Sequence, residues 1–501
     1  MERAEQEIRL NRSEMKKVEL IFVPAPGVGH LVSTGEFAKR LIHFDHRISV
    51  TILSMKWFPG FADAYTESLA ACEPDRIHIM HLPQVDLPSL DLYKLSPEAF
   101  FYEAIQNYFV PVRNAVRDIM SMTSTLDPDS GSVRVAGLVL DLFCSPMVDI
   151  ATELGLPSYI YLTTNAAFFG LMLYLSTRHL QNSSVFEYPK PETGNTDLEH
   201  LIPGFVNPVP SRVLPSFVFN KDGGYNALVK IAEKFGLANG IIVNTFEELE
   251  TYAVNCFYNG QNPPIYPVGP VIHLNSLSHP ELDQVQRDKI RKWLDNQPES
   301  SVVYLCFGSM GSHVPLQAKE IALGLEKSER RFLWSFHMPP PQNDAAGTVH
   351  YKNPEEMLPQ GFMERIQEKG MICGWAPQLE VLGHRAVGGF VSHCGWNSIL
   401  ESLWCGVPIV TWPMHAEQQL NAYMMKEMGL AVVMKLDFRG GTSEVVTAKE
   451  IEEGVRQIMD AGSEVRKKVK EIAGMARKAV TEGGSSFNSI GRFIEDMIGN
   501  T

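Results

Sequence analysis

Short runs of consecutive apolar residues alternate along the chain with longer stretches in which apolar positions recur every three or four residues. Val18 to Val23 is the first such run; it breaks at Pro24-Ala25-Pro26-Gly27, and a helical pattern follows from Leu31 to Ile42. Ile48 to Leu53 predicts a second strand, and Leu138 to Leu140, Tyr159 to Leu162 and Ile241 to Val243 continue the series. The alternation restarts with a strand at Val302 to Phe307, a helix over Gln317 to Glu326, and strands at Phe332 to Phe336, Met371 to Cys373, Gly389 to Val391 and Ile409 to Val410. Strands that are apolar throughout are buried on both faces, so each series predicts a parallel sheet covered by helices. Two series predict two doubly wound, Rossmann-like α/β domains facing each other across a cleft.

Proline and glycine crowd Asn262 to Pro270, and residues 271–290 are polar and weakly patterned, which predicts a linker. The expected division is a leader over residues 1–17, a first domain over 18–262, a linker over 263–290, a second domain over 291–484 and a final helix in 485–501. Met338 to Pro354 reads as a surface loop.

Composition narrows the function. At 501 residues the chain exceeds a single hydrophobic core, and 45% apolar with 20% charged residues is ordinary for a soluble protein. A net charge of −14 argues against a nucleic-acid face. No apolar run reaches the roughly 18 residues of a membrane span, so no membrane insertion is expected. Residues 1–17 lack the apolar core of a secretory signal. Seven widely spread cysteines, an odd number, fit reduced thiols and a cytoplasmic protein. Their spacing forms no metal-binding pair, so no metal is expected.

In an open α/β sheet ligands bind beyond the carboxyl ends of the strands, so those positions carry the chemistry. The 44-residue segment Trp375 to Gln418, with His393-Cys394-Gly395-Trp396-Asn397-Ser398 at its centre, resembles the signature box of plant family 1 UDP-glycosyltransferases of small natural products. Phe307-Gly308-Ser309, the run Asn244 to Leu249 and the run Tyr266 to Pro270 extend the resemblance across the chain. It implies a GT-B fold, a glycosyltransferase activity, and a last helix that crosses back onto the first domain.

The residues of the box have a physical reading of their own. Ser392 to Gly395 is a turn between a strand and a helix starting near Trp396, and a helix N-terminus offers free N–H groups and a positive dipole end to a diphosphate. His393, Asn397 and Glu401 are spaced by four and are expected to share one helix face, with Glu401 placed to accept ribose hydroxyls. Taken alone, Trp375 reads as a core or rim aromatic and His393 as a structural histidine. The resemblance implies more. Trp375 stacks on the uracil and Ala376 and Gln378 contact the nucleoside; Ser309, His393, Asn397 and Ser398 hold the diphosphate and Glu401 the ribose; Trp396, Glu417 and Gln418 contact the sugar. Gln418 in the last position resembles the glucose users, so UDP-glucose is the expected donor substrate, with no cofactor.

Gly27-Val28-Gly29-His30 begins like a dinucleotide fingerprint, but Val32 stands where its third glycine belongs, which weakens a nicotinamide-cofactor reading. His30, on a turn opening a helix, suits a general base that removes a hydroxyl proton. The resemblance implies that role, with Asp141, at the end of a strand, as its partner; alone, Asp141 reads equally as a helix cap. Thr163 or Thr164 is expected to touch the sugar, with Thr163 the first choice. The regions 55–110 and 170–225, containing Phe100-Phe101-Tyr102, and the neighbouring pair Phe168-Phe169, are rich in aromatic residues and suit a small apolar phenolic acceptor such as a flavonoid or dihydrochalcone. The expectation is an inverting UDP-glucose-dependent O-glucosyltransferase acting as a monomer. The competing readings are a non-catalytic UDP-sugar or phenolic-binding protein, and a transferase for terpenoids or hormones.

Overall fold

The computed structural model describes residues 17–499 apart from 58–60, 125–132, 190–196, 259, 261, 275–281, 310 and 338–353. The leader over 1–17 and the loop Met338–Pro354 thus fall, but for Lys17 and Pro354, outside the described residues.

Seven strands form the first sheet: β1 (Val18–Val23), β2 (Ile48–Ser54), β3 (Ile77–His81), β4 (Arg134–Asp141), β5 (Ser158–Leu162), β6 (Gly240–Val243) and β7 (Ile265–Pro267). They are parallel, in the order β3-β2-β1-β4-β5-β6-β7. Helix α1 (Val28–Phe44) follows β1, and α2 (Ala166–Gln181) follows β5. All six residues of β1 are buried, which is why its sequence is an unbroken apolar run apart from Glu19. Glu19 is tolerated there because its carboxylate accepts from the hydroxyls of Ser49 and Thr51 on β2.

The second sheet has six parallel strands: β8 (Val302–Cys306), β9 (Arg331–Ser335), β10 (Gly370–Cys373), β11 (Val387–Ser392), β12 (Ile409–Thr411) and β13 (Ala431–Val433). Their order, β10-β9-β8-β11-β12-β13, repeats the winding of the first sheet. Helices α3 (Trp396–Cys405) and α4 (Gln418–Glu427) follow β11 and β12. In each sheet the winding reverses beside the first strand, between β1 and β4 and between β8 and β11. These two switch points are where crevices open in doubly wound sheets.

Two parts of the expected linker belong to the domains. Tyr266, read as linker from residue 263 onward, lies on β7, which pairs with β6 in the first sheet. Residues 284–290 open a helix, Gln284–Asp295, capped by Asp283. Proline density misled the reading at β7 because an edge strand tolerates Pro264 and Pro267 where a central strand would not.

Helix α5 (Ser485–Gly499) packs on the first domain. Its residues Ile490, Phe493, Ile494 and Met497 share a core cluster with Phe22, Phe37 and Tyr159. Phe493 sits edge-on to Tyr159 at 5.0 Å, and Tyr266 donates to Asp496 at 2.6 Å. Each of these buried apolar side chains contributes roughly 1.5–3 kcal/mol, so the end of the chain is firmly attached to the domain that begins it.

Candidate active site

The first switch point supplies a histidine and a carboxylate. Gly27 is the N-cap of α1, so His30 is the third helical residue, its N–H reaching back to the Gly27 carbonyl at 3.0 Å. The last residue of the neighbouring β4 is Asp141, and its Oδ2 lies 2.7 Å from His30 Nδ1. The other carboxylate oxygen, Oδ1, accepts the Phe143 N–H at 3.0 Å and caps the turn that follows. Cap and partner, separate readings of Asp141 from the sequence, are thus one carboxylate doing both. Asp141 is fully buried at its side chain while His30 remains 27% exposed, so of the pair the imidazole alone is accessible.

Burial is the strongest single influence on His30 and pulls its pKa down; the charge and hydrogen bond of Asp141, with the charge of Glu417, outweigh it and hold the pKa above the ordinary histidine value. A carboxylate at Nδ1 fixes that nitrogen as the protonated one and leaves Nε2 as the basic atom. Thr163 Oγ1 also stands 3.1 Å from His30 Nδ1. Thr163 therefore packs against the base, whereas the buried Thr164 hydroxyl lies beside Glu417 and favours its ionised form.

The second switch point supplies a helix N-terminus. Ser309 follows β8, and the turn after β11 carries His393 and Cys394 to Gly395, the N-cap of α3. Cys394 adopts a left-handed φ of 63°, an uncommon conformation for a non-glycine residue and one that clusters at functional turns. The expected shared helix face of His393, Asn397 and Glu401 holds only for the last two, because His393 precedes the helix. It is wedged between two glycines instead. A Cβ on Gly308 (φ +78°) would lie 2.7 Å from His393 Nε2, and one on Gly395 2.5 Å from it. Burial, with the charge of His415 added, pushes the His393 pKa down to about 3 against a hydrogen bond to the Cys306 backbone that lifts it, so the ring is neutral and not a cation. Its Nδ1 is buried with no protein partner. The positive end of the site is the helix itself, where Trp396, Asn397 and Ser398 begin the first turn.

Around this turn lies a cleft of about 320 Å³ whose walls include Gly29, Val32, His273, Ser309, Trp375 and Glu401. Ala376, Gln378, His393, Trp396, Asn397 and Ser398 line it too. Trp375 is half-buried and stacks on His337 at 5.9 Å and 28°. Gln286, in the helix that replaces part of the expected linker, donates to the Trp375 carbonyl at 2.5 Å. Gln378 Nε2 donates to Ser398 Oγ at 2.8 Å and to Glu401 Oε2 at 2.7 Å, joining three of the expected contacts in one network. Burial raises the Glu401 pKa to about 7 against the lowering influence of Gln378 and His273. Asn397 Nδ2 reaches across the cleft to the Gly29 carbonyl at 3.3 Å.

Some expected sugar contacts spend their polar atoms elsewhere. Trp396 is buried, and its indole N–H donates to the Asn244 carbonyl of the first domain at 2.7 Å. Gln418 Oε1 accepts from the N–H groups of Met414 (2.9 Å) and His415 (3.0 Å), leaving its amide nitrogen as the free end. Glu417 is the N-cap residue of α4 and senses the charge of His30, so it faces the base across the domains. His273 and His337 carried no motif, and only the fold brings them to the cleft, as it brings Gln286 to the Trp375 carbonyl.

On the acceptor side Phe143 lies 5.4 Å from the His30 ring, Phe101 stacks on Phe143 at 6.1 Å, and Trp57 stacks on Phe101 at 5.1 Å. Phe100, Phe168 and Phe169 are core residues, each below 5% exposed, so of the aromatic residues singled out from the sequence Phe101 and Tyr102 stay half-buried, and Phe143, outside the expected regions, joins Phe101 beside His30. Among the described residues no cluster of His, Cys, Asp or Glu is arranged to hold a metal ion, and no helix is long and apolar enough to cross a membrane.

An oriented histidine on one wall and a helix N-terminus, aromatic platform and carboxylate on the other define a group-transfer enzyme with a nucleotide-linked donor. Residues 267–466 match the family model described as UDP-glucoronosyl and UDP-glucosyl transferase. The chain is 53% identical to UDP-glycosyltransferase 71K2 of Pyrus communis over 97% of this chain and 99% of that one. It is 47% identical to the flavonol 3-O-glucosyltransferase UGT71C4 of Arabidopsis thaliana, over 96% and 98%. The crystal structure of Medicago truncatula UGT71G1 complexed with UDP-glucose matches at a TM-score of 0.85 and 46% identity, covering 96% of this chain and 98% of that one. The chain belongs to the plant UDP-glycosyltransferases, and its two facing parallel-sheet domains are the GT-B fold of that family.

Proposed function

We propose that this glycosyltransferase transfers glucose from UDP-glucose to a hydroxyl of a small apolar phenolic, with inversion at the anomeric carbon. The single observation that carries the reading is the 2.7 Å contact between Asp141 Oδ2 and His30 Nδ1, which leaves Nε2 as the basic atom. His30 Nε2 takes the acceptor proton as the acceptor oxygen attacks the anomeric carbon. The bond from that carbon to the UDP oxygen breaks on the opposite face, so an α-linked donor gives a β-glycoside. Asp141 stabilises the imidazolium that forms. Negative charge developing on the departing diphosphate meets the α3 N-terminus, the His393 N–H and Ser309. These donors take the place of a divalent cation, so neither cofactor nor metal is called for.

Two further features support donor and acceptor. Gln418 closes the segment that begins at Trp375, as in glucose users, and both UDP-glucose and flavonol glucosylation are named for relatives. The rings of Phe143 and Phe101 run outward from His30 and suit a flat aromatic acceptor. The free cysteines support a cytoplasmic location, and the protein is read as a monomer.

The test is a mass-shift screen of mixed phenolics against UDP-glucose, UDP-galactose and UDP-glucuronate, with a chelator present. The expected result is a one-hexose increase on phenolics with UDP-glucose, undiminished by chelation. A product only with another donor, only on non-phenolic acceptors, or only with added metal would overturn the corresponding part of the reading.

A further inference from the structure

The interface between the two domains contains a buried pair of side-chain amides. Asn165 Nδ2 donates to Asn421 Oδ1 at 2.7 Å, and each residue is 1% exposed. Asn165 is the residue after Thr164 and caps α2, its Oδ1 accepting the Phe168 N–H at 2.8 Å. Asn421 sits on α4 one turn beyond Glu417. Its Nδ2 donates to the Cys394 carbonyl at 3.0 Å and lies 3.5 Å from Glu417 Oε1. The orientation of both amides is forced. Asn165 must present oxygen to the cap and therefore nitrogen to Asn421, which must present oxygen back and nitrogen to Cys394 and Glu417.

We propose that Asn165 and Asn421 are positioning residues that set the register of the two domains at the reacting end of the cleft. They tie the segment holding Thr163 and Thr164 to the left-handed Cys394 turn and to Glu417. The proposal rests on the reading that Glu417 faces the transferred sugar. Domains within one chain move against each other by default, and transfer needs the base on one domain and the sugar on the other held within a fraction of an ångström. Other contacts also join the domains, at the nucleotide end of the cleft through Trp396 to the Asn244 carbonyl and Asn397 to the Gly29 carbonyl, and farther from the chemistry. Tyr423 donates to the Pro208 carbonyl at 2.9 Å, and Arg439 donates to the carbonyls of Arg212 and Leu214. The domains therefore stay together without the amide pair, but among the described residues Asn421 is the side chain that bonds both Asn165 and the Cys394 carbonyl. Breaking a bond between two buried amides leaves polar groups without water, so the pair favours one register over its neighbours.

The variant Asn165→Asp keeps the oxygen that caps α2 and removes the nitrogen that reaches Asn421. The expected result is a fall in kcat of about 10- to 100-fold, the scale of a small misplacement of reacting groups. UDP affinity and the KM for UDP-glucose should stay close to wild type, because the nucleotide is held by residues 375–401, while the unfolding midpoint should fall, because a carboxylate then faces the buried Asn421 amide without water. Asn421→Ala should lower kcat similarly, and the double variant should be no worse than the poorer single variant. An unchanged kcat, a parallel loss of UDP affinity, or additive losses in the double variant would each overturn the proposal. Glu417→Gln tests the underlying reading separately: an unchanged kcat there removes Glu417 from the sugar site, whatever Asn165→Asp does.

Discussion

Replacing Glu401 by Gln separates what the carboxylate costs the fold from what it gives the ligand. The side chain is enclosed by the Gln378–Ser398 network, and glutamine preserves its shape and the oxygen that accepts from Gln378. Burial lifts the Glu401 pKa from 4.5 to about 7. A carboxyl group raised in the folded state contributes stability that is fully present below its unfolded pKa and is lost as pH rises through the folded one. For Glu401 that window runs from about 4.5 to about 7. At 1.36 kcal/mol per pH unit the whole window amounts to about 3 kcal/mol. The ligand-free Glu401→Gln variant should therefore gain on wild type by about 2–3 kcal/mol between pH 5 and pH 8, read from urea unfolding at each pH. UDP titrated calorimetrically at pH 8 should bind the variant about 10- to 100-fold more weakly, because ribose hydroxyls lose an ionised acceptor. A constant stability difference across that pH range, or undiminished UDP affinity, would refute the reasoning.

Two other substitutions probe the two switch points. Asp141→Asn should lower kcat by about 10²–10⁴-fold through the wrong His30 tautomer. Because Asp141 holds the His30 pKa up, the acid limb of the pH–rate profile should lie above the ordinary histidine value in wild type and move to lower pH in this variant; a limb that stays in place would show that another group titrates. Gly308→Ala places a methyl group 2.7 Å from His393 Nε2 in a left-handed backbone, so it should displace the ring and weaken UDP binding about 10-fold. Wild-type affinity in that variant would mean the ring plays no part in holding the diphosphate.

The strands legible in the sequence were those buried on both faces. Val18–Val23 and Tyr159–Leu162 read plainly because every position lies in the core, or nearly so. The missed strands lie toward the sheet edges. Ile77–His81 is half-exposed and carries His78 and His81, Ile265–Pro267 is bounded by prolines, and Ala431–Val433 is three residues long. Edge strands need no continuous apolar signal. Within the site, His30, Asp141 and the segment from Trp375 could be picked out because each follows a strand and the segment is long. His273 and His337 could not, since isolated histidines beside a linker and a loop carry no spacing. The Asn165–Asn421 bond joins residues 256 apart in sequence, and Gln286 reaches Trp375 across 89. The first pairing exists only once the domains have met, and the second only once the second domain has folded. The His393–Asn397–Glu401 spacing was over-read because a four-residue interval means a shared face only inside a helix, and His393 stands before α3.

The central claim is that His30 removes the acceptor proton. The most direct measurement is the turnover of His30→Ala beside wild type, with UDP-glucose and a phenolic substrate at saturation and UDP affinity measured in parallel. The account predicts kcat lower by about 10²–10⁴-fold with UDP affinity unchanged. Near-normal turnover would contradict it.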